Sequence, residues 1–165
     1  MKPTPVLFLD LDGTVRDNKK FVNGPGDVEI YEGVVDIIRS YKEGGWKVVA
    51  ISNQGGIAMG HTTESEANRA LMETNRQCAN LFDGMLYCPH HPDNPDPENK
   101  CICRKPKIGN IVRAFSQLAN AGIYTYPLAC LFVGDQESDK KCAEDAHIPF
   151  MWAKEWRAKG PLKDA

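Results

Sequence analysis

The stretch Pro5–Asp17, PVLFLDLDGTVRD, decides the fold. Five of the six residues from Val6 to Leu11 are apolar, a density that suits a strand buried on both faces of a parallel sheet. The run breaks into Asp12, Gly13 and Thr14, so its acids sit where a strand ends. In an open α/β sheet that carboxyl edge is where ligands bind. Side chains alternate along a strand, which predicts that Asp10 and Asp12 share one side. Two carboxylates that close repel each other unless a cation or a shared proton relieves them, and a divalent metal with oxygen ligands is the common solution. Gly13 allows the sharp turn that follows.

A chain of 165 residues fits one domain with a sizeable core. It has no apolar run long enough for a spanning helix, and Lys2 with two prolines ahead of the first strand lacks the layout of a signal peptide. The expected compartment is therefore the cytoplasm. A net charge of -2 and a pI near 6.1 give no footprint of general nucleic-acid binding. Of six cysteines, Cys88, Cys101 and Cys103 lie close to histidines, which reads as metal binding before disulfides. Cys78, Cys130 and Cys142 have no partner pattern and read as buried apolar positions.

Beyond Asp17, glycines, a proline and mixed charge as far as Gly33 predict a loop across the active edge, with no insertion long enough for a cap domain. Val34, Ile37, Ile38 and Tyr41 then fall at helical spacing, with Gly44-Gly45 as the stop. Trp46–Ser52 reads as a second strand ending in SNQGG. At a strand end the Ser52 hydroxyl and the free N–H groups near Asn53 are suited to phosphate oxygens. Thr62 or Thr63 caps a helix running to about Phe82, with Glu66 completing a capping box after Thr63. Asp83–Cys88 is a short third strand.

The segment from Cys88, CPHHPDNPDPENKCICRKPKIG, is proline-rich and polar. Its ligand-type residues arrive as two close pairs, Cys88 with His90 and Cys101 with Cys103, as a tetrahedral zinc site requires. His91 competes with His90 for the fourth position. Arg104 and Lys105 follow at once; a lysine beside paired carboxylates neutralises them and holds a phosphoryl group, and arginine offers a planar fork to phosphate or sugar oxygens. Ile108, Ile111, Val112, Phe115 and Leu118 make a helical stripe of core type. Leu128–Asp135 is a buried strand broken by Asp135, with Asp139 four residues on; a short helix spans Lys140–His147, and IPFMWA is an edge strand. The last dozen residues form a short helix or fray. Strands alternating with helices give a single doubly wound, Rossmann-like α/β domain over residues 1–165, with a central parallel sheet and a zinc loop at about 88–105.

Taken together, DLDGT, SNQGG, RKP and GDQESD resemble, in order, the four motifs of haloacid dehalogenase (HAD) phosphohydrolases. CPHHP followed by CxCRKP is similar to the pattern of D-glycero-D-manno-heptose-1,7-bisphosphate and histidinol-phosphate phosphatases, members of HAD subfamily IIIA. The resemblance implies a magnesium-dependent phosphatase. Asp10 would attack phosphorus, and Asp12 would serve as general acid and then base. Ser52, Asn53 and Lys105 would hold the phosphoryl oxygens, and Arg104 would contact substrate. Magnesium would be held by Asp10, Asp135 and the backbone carbonyl of Asp12, with Asp139 in support. It also implies that Cys88, His90, Cys101 and Cys103 bind structural zinc, the first histidine of the pair being the ligand in those families. A monomer acting on a small phosphorylated sugar is the expectation. Where the heptose enzymes usually carry Arg between the acids and Asn soon after the Thr, this chain has Leu11 and then Val15-Arg16-Asp17, and it has Gly55 where they commonly have Ser. A polynucleotide 3'-phosphatase is the alternative enzyme. A binder of a phosphorylated metabolite is the alternative of another class, one that has no physical need for an acid beside its nucleophile.

Overall fold

All four side chains of β1 (Val6–Leu9) are sealed from water, and the strand accordingly runs through the middle of the sheet. In the computed structural model, which describes residues 1–163, β1 pairs in parallel with β2 (Lys47–Asn53) on one side. On its other side it pairs, again in parallel, with β4 (Leu131–Gly134). β3 (Gly84–Cys88) and β5 (Phe150–Trp152) complete a five-stranded parallel sheet in the order β3-β2-β1-β4-β5. The chain winds outward from β1 in one direction and then in the other. The reversal leaves a crevice at the carboxyl ends of β1 and β4, the place where such sheets bind ligands.

The pleat of β1 divides the core in two. Leu7 and Leu9 pack with Ile37, Ile38 and Tyr41 of α1 (Val34–Glu43) and with Trp156 of α5 (Ala153–Lys159). Val6 and Phe8 face the other way, onto Ile111 and Leu118 of α3 (Gly109–Asn120) and Cys142 and Ala143 of α4 (Glu137–Asp145). Cys78, Cys130 and Cys142 are all buried, and burial pushes the Cys78 thiol up to about 12 and that of Cys142 to about 11. Among the described residues no helix is long and apolar enough to cross a membrane.

Several boundaries differ from those the sequence predicts. α2 (Glu64–Gln77) stops five residues before Phe82, because Ala79 and Asn80 take left-handed backbone angles (φ 55° and 57°) that turn the chain toward β3. Thr63 does cap α2, accepting from the N–H of Glu66 at 3.1 Å, but the Glu66 side chain pairs with Arg69 at 2.7 Å instead of closing the box. β4 begins at Leu131, since Pro127 starts a single 3-10 turn over Pro127–Ala129. α4 begins at Glu137, earlier than Lys140, because Asp139 turns back to accept from the N–H groups of Asp135 (3.1 Å) and Gln136 (3.0 Å). The final segment does not fray as far as Lys159: Trp156 of α5 is 1 % exposed.

Trp156→Ala is expected to cost about 3–5 kcal/mol in urea unfolding, the penalty for a large aromatic side chain removed from a closed core. A loss under about 1 kcal/mol would mean that α5 is not part of the core.

Candidate active site and metal centres

Asp10 is the first residue beyond β1, and its N–H still follows the sheet by donating to the carbonyl of Val133 in β4 at 3.0 Å. Its carboxylate is held on both oxygens. Lys105 Nζ donates to Oδ1 at 2.7 Å, and Thr14 Oγ1 donates to Oδ2 at 3.1 Å. The same ammonium donates to the carbonyl of Ile51 and meets Asp139 Oδ1, each at 2.7 Å. Lys105 is thus a buried junction between β1, β2 and α4. Burial works against its charge, but Asp10 and Asp139 outweigh that and raise its pKa well above the usual lysine range. Burial pushes the Asp10 carboxyl well up, Lys105 opposes this, and Asp139 adds to it.

Asp10, Asp135 and Asp139 form a cluster whose ligand atoms lie within 4.8 Å of one another. Lys105 pairs with two of the three carboxylates and leaves Asp135 without a cation, so the cluster is short of positive charge. Asp139 is fully engaged with Lys105 and two backbone N–H groups, whereas Asp135 Oδ1 is buried without a partner. An orphaned buried oxygen beside the Asp10 carboxyl group fits a divalent cation with oxygen ligands. Gly13 (φ +88°) belongs to the same arrangement, because a Cβ there would collide with the Asp135 carboxylate.

The Asp12 side chain is not a member of this cluster. β1 ends at Leu9, and Asp12 lies three residues on, in an isolated bridge with Arg16 that flanks the turn at Gly13–Val15. Its carboxylate is instead gripped by Arg16, Nε to Oδ1 at 2.7 Å and Nη2 to Oδ2 at 3.2 Å, and by Gln54 Nε2, which donates to Oδ2 at 3.0 Å. Gln54 also donates to the buried Ser52 Oγ at 2.7 Å, and so links the ends of β1 and β2. Asn53 brackets the lysine: its Oδ1 accepts from the Lys105 N–H at 3.0 Å and its Nδ2 donates to the Lys105 carbonyl at 3.1 Å.

Cys88, His90, Cys101 and Cys103 converge into a second cluster. His90 Nδ1 lies 3.4 Å from the sulfurs of Cys88 and Cys103, and the sulfurs of Cys88 and Cys101 are 3.6 Å apart. A zinc tetrahedron with bonds of about 2.0–2.3 Å has edges of roughly this length. Burial pushes the thiols of Cys88 and Cys103 up. At Cys101 burial is outweighed by the N–H groups of Arg104 and Cys103 and by neighbouring thiols, which bring it down to about 6. His91 is not in the cluster; its Nδ1 accepts from the Asp93 N–H at 3.1 Å. Arg104 leaves the cluster by donating from Nη1 to the carbonyl of His90 at 3.0 Å. Asp12, Lys20, Asn53, His61, His91 and Arg104 line one open cavity of about 480 Å³. Gly55 keeps a wall of it open, since a Cβ there would lie 2.8 Å from both Arg104 Nη1 and the His91 ring.

Sequence reasoning missed Arg16, Gln54, Thr14 and Arg157 as parts of the site. Arg157 reaches from α5 to donate to the carbonyls of Gly13 (3.0 Å) and Thr14 (2.9 Å) while lying 4.2 Å from the centre of the Tyr31 ring. Arg16 carried a signal in the sequence, a cation four residues after the second acid of DLDGT. Arg157 carried none.

A lysine-clasped aspartate at the end of the central strand, a second acid two residues on and an acidic pair after β4 define a HAD-type phosphatase, a phosphoric monoester hydrolase. The chain belongs to the family described as polynucleotide kinase 3 phosphatase, whose model matches residues 5–156. It is 33% identical over 154 residues to a D-glycero-beta-D-manno-heptose-1,7-bisphosphate 7-phosphatase of Salmonella typhi, covering 89% of this chain and 78% of that one. It is 31% identical over 148 residues to a probable D-glycero-D-manno-heptose-1,7-bisphosphate 7-phosphatase of Thermoplasma volcanium, covering 87% and 94%. Among solved structures, that of a D,D-heptose 1,7-bisphosphate phosphatase from B. bronchiseptica complexed with magnesium and phosphate is similar, with a TM-score of 0.77, 26% identity and coverage of 98% of this chain and 89% of that one.

Asp12→Ala is expected to lower stability by about 2–3 kcal/mol, because it leaves a fully buried guanidinium without its carboxylate. Unfolding in denaturant measures this, and a stability equal to the parent's would show that Arg16 finds its compensation elsewhere.

Proposed function

We propose that the chain hydrolyses the phosphomonoester of a small sugar bisphosphate through a phosphoenzyme on Asp10. The observation that carries the reading is Asp10, held at 2.7 Å by Lys105, with Asp12 two residues on in the wall of a cavity of about 480 Å³. That space exceeds what a phosphoryl group alone needs, and Lys20 and Arg104 place two cations in its wall, beside the acids Asp12 and Asp93, where a second anionic group could be met. The named relatives act, by their names, on a heptose bisphosphate.

In the first half-reaction an Asp10 oxygen attacks phosphorus in line, the bond to the leaving oxygen breaks, and Asp12 gives that oxygen its proton. In the second, the Asp12 carboxylate takes a proton from water, which attacks the phosphorus, releases inorganic phosphate and restores Asp10. Ser52, Lys105 and the backbone at Asn53 hold the phosphoryl oxygens. Magnesium held by Asp10, Asp135 and the Asp12 carbonyl supplies the positive charge that lets an anionic nucleophile meet an anionic phosphate. Asp139 fixes Lys105 and the start of α4. Cys88, His90, Cys101 and Cys103 hold structural zinc, which pins the loop carrying Arg104 and Lys105. Residues 1–165 act as one catalytic domain, with the metal loop of about residues 88–105 as an elaboration of it.

Phosphate release in magnesium is to be measured on sugar bisphosphates, histidinol phosphate, nucleotides and a 3'-phosphorylated oligonucleotide. Rapid release is expected from a sugar bisphosphate and is lost in Asp10→Asn by about a thousandfold or more. Preference for the oligonucleotide would overturn the sugar reading, and silence of the folded, metal-loaded protein across the panel would overturn the enzymatic one. Elemental analysis is expected to find one zinc per chain, absent from Cys101→Ser, whose melting temperature and activity both fall; a protein purified without zinc at full activity would refute the structural metal.

A further inference from the structure

Arg16 is among the largest side chains wholly enclosed by the protein, with 0 % exposure. A guanidinium keeps its charge wherever it sits, so the charge has to be met inside. Among the described residues, the one carboxylate within ion-pair distance is that of Asp12. The third arm of the fork, Nη1, donates to Thr74 Oγ1 at 3.0 Å, and that hydroxyl is itself tied to the carbonyl of Ala70 at 2.7 Å. The guanidinium therefore has a fixed seat in α2 and a fixed direction toward the acid.

An ionised carboxylate offers about four acceptor sites, two on each oxygen. On Asp12 Oδ2 both are taken, by Arg16 Nη2 and by Gln54 Nε2. Oδ1 gives one to Arg16 Nε and keeps one. We infer that Arg16, aided by Gln54, is a positioning residue for the proton step, and that Oδ1 of Asp12 is the atom through which the proton passes. This rests on the phosphatase reading above. The acid carries its proton on the one site that no donor fills. As the bond from phosphorus to the leaving oxygen breaks, the electron pair goes to that oxygen, the Oδ1 proton binds it, and the new carboxylate charge appears against a guanidinium already in place. No side chain has to reorient to receive it.

A buried arginine that merely stapled the turn would act on every substrate alike. A positioning residue acts only where a proton is needed. Alkyl phosphates such as a sugar phosphate expel a poor leaving group that has to be protonated, whereas p-nitrophenyl phosphate expels a stable anion. The parameter kcat/KM reports the chemistry up to departure of the leaving group, before water attacks the phosphoenzyme. The test is the ratio of kcat/KM on p-nitrophenyl phosphate to that on the best sugar phosphate, taken on one preparation so that the folded fraction cancels. Arg16→Lys, which keeps the charge and removes the fork, is expected to raise the ratio by about tenfold or more, and Gln54→Met by a few-fold in the same direction. A ratio within about twofold of the parent's in the folded variants overturns the inference and leaves the phosphatase reading intact. Absence of turnover of either substrate by the parent protein removes the phosphatase reading itself, and the inference with it. Should Arg16→Lys fail to fold, Gln54→Met carries the test alone, because its side chain opens toward the cavity.

Discussion

One ammonium group ties the site to the fold. Lys105 Nζ touches the carboxylate of Asp10, the carbonyl of Ile51 near the end of β2 and the carboxylate of Asp139 in α4. These three contacts join elements that are distant in sequence, and all of them lie where water does not reach. Burying a lysine costs several kcal/mol unless its charge is matched, so the carboxyl ends of β1, β2 and β4 are constrained to meet around it. The rest of the crevice depends on that meeting. Asp135 leaves β4 beside Asp10, Gly13 gives it room, and one of its oxygens remains unpartnered.

The second acid follows a different logic. Asp12 is set apart from the acidic cluster by a buried cation of its own, so two carboxylates two residues apart occupy unlike surroundings. Such separation lets one behave as a nucleophile and the other handle a proton. The division begins where β1 ends and the chain turns at Asp12–Gly13. Arg157 pins that turn from the far end of the chain through two carbonyls. A helix without catalytic side chains thereby takes part in shaping the active turn.

The cysteine and histidine loop solves a problem of order. Between Cys88 and Lys105 the polar, proline-rich chain has one short turn of regular structure, at Pro97–Asn99, and little apolar surface to bury. Four soft ligands drawn to one point shorten the loop and fix its last residue, Cys103, immediately before Arg104 and Lys105. Asn53 then receives the Lys105 backbone on both sides, so the lysine arrives in register with β2. The loop also carries His91 and Asp93 into the cavity wall, which it shares with Asn18 and Lys20–Asn23.

Local pattern made much of this legible. Apolar runs broken by acids mark strands that end at a ligand edge, and close pairs of cysteine and histidine mark a loop whose side chains converge, because both depend on residues adjacent in the chain. The parallel sheet, the helices on its two faces and the residues of the two clusters were readable for that reason. Tertiary structure alone decided which atoms are spent and which are free. Whether Asp12 joins Asp10 or turns to Arg16, whether Asn53 points at a ligand or at Lys105, and whether α5 matters to the active turn are set by contacts spanning from four to more than a hundred residues. Sequence by itself determined the inventory of charges and ligands and their order along the chain; packing determined their pairing, since a buried charge takes whichever partner the fold brings within reach.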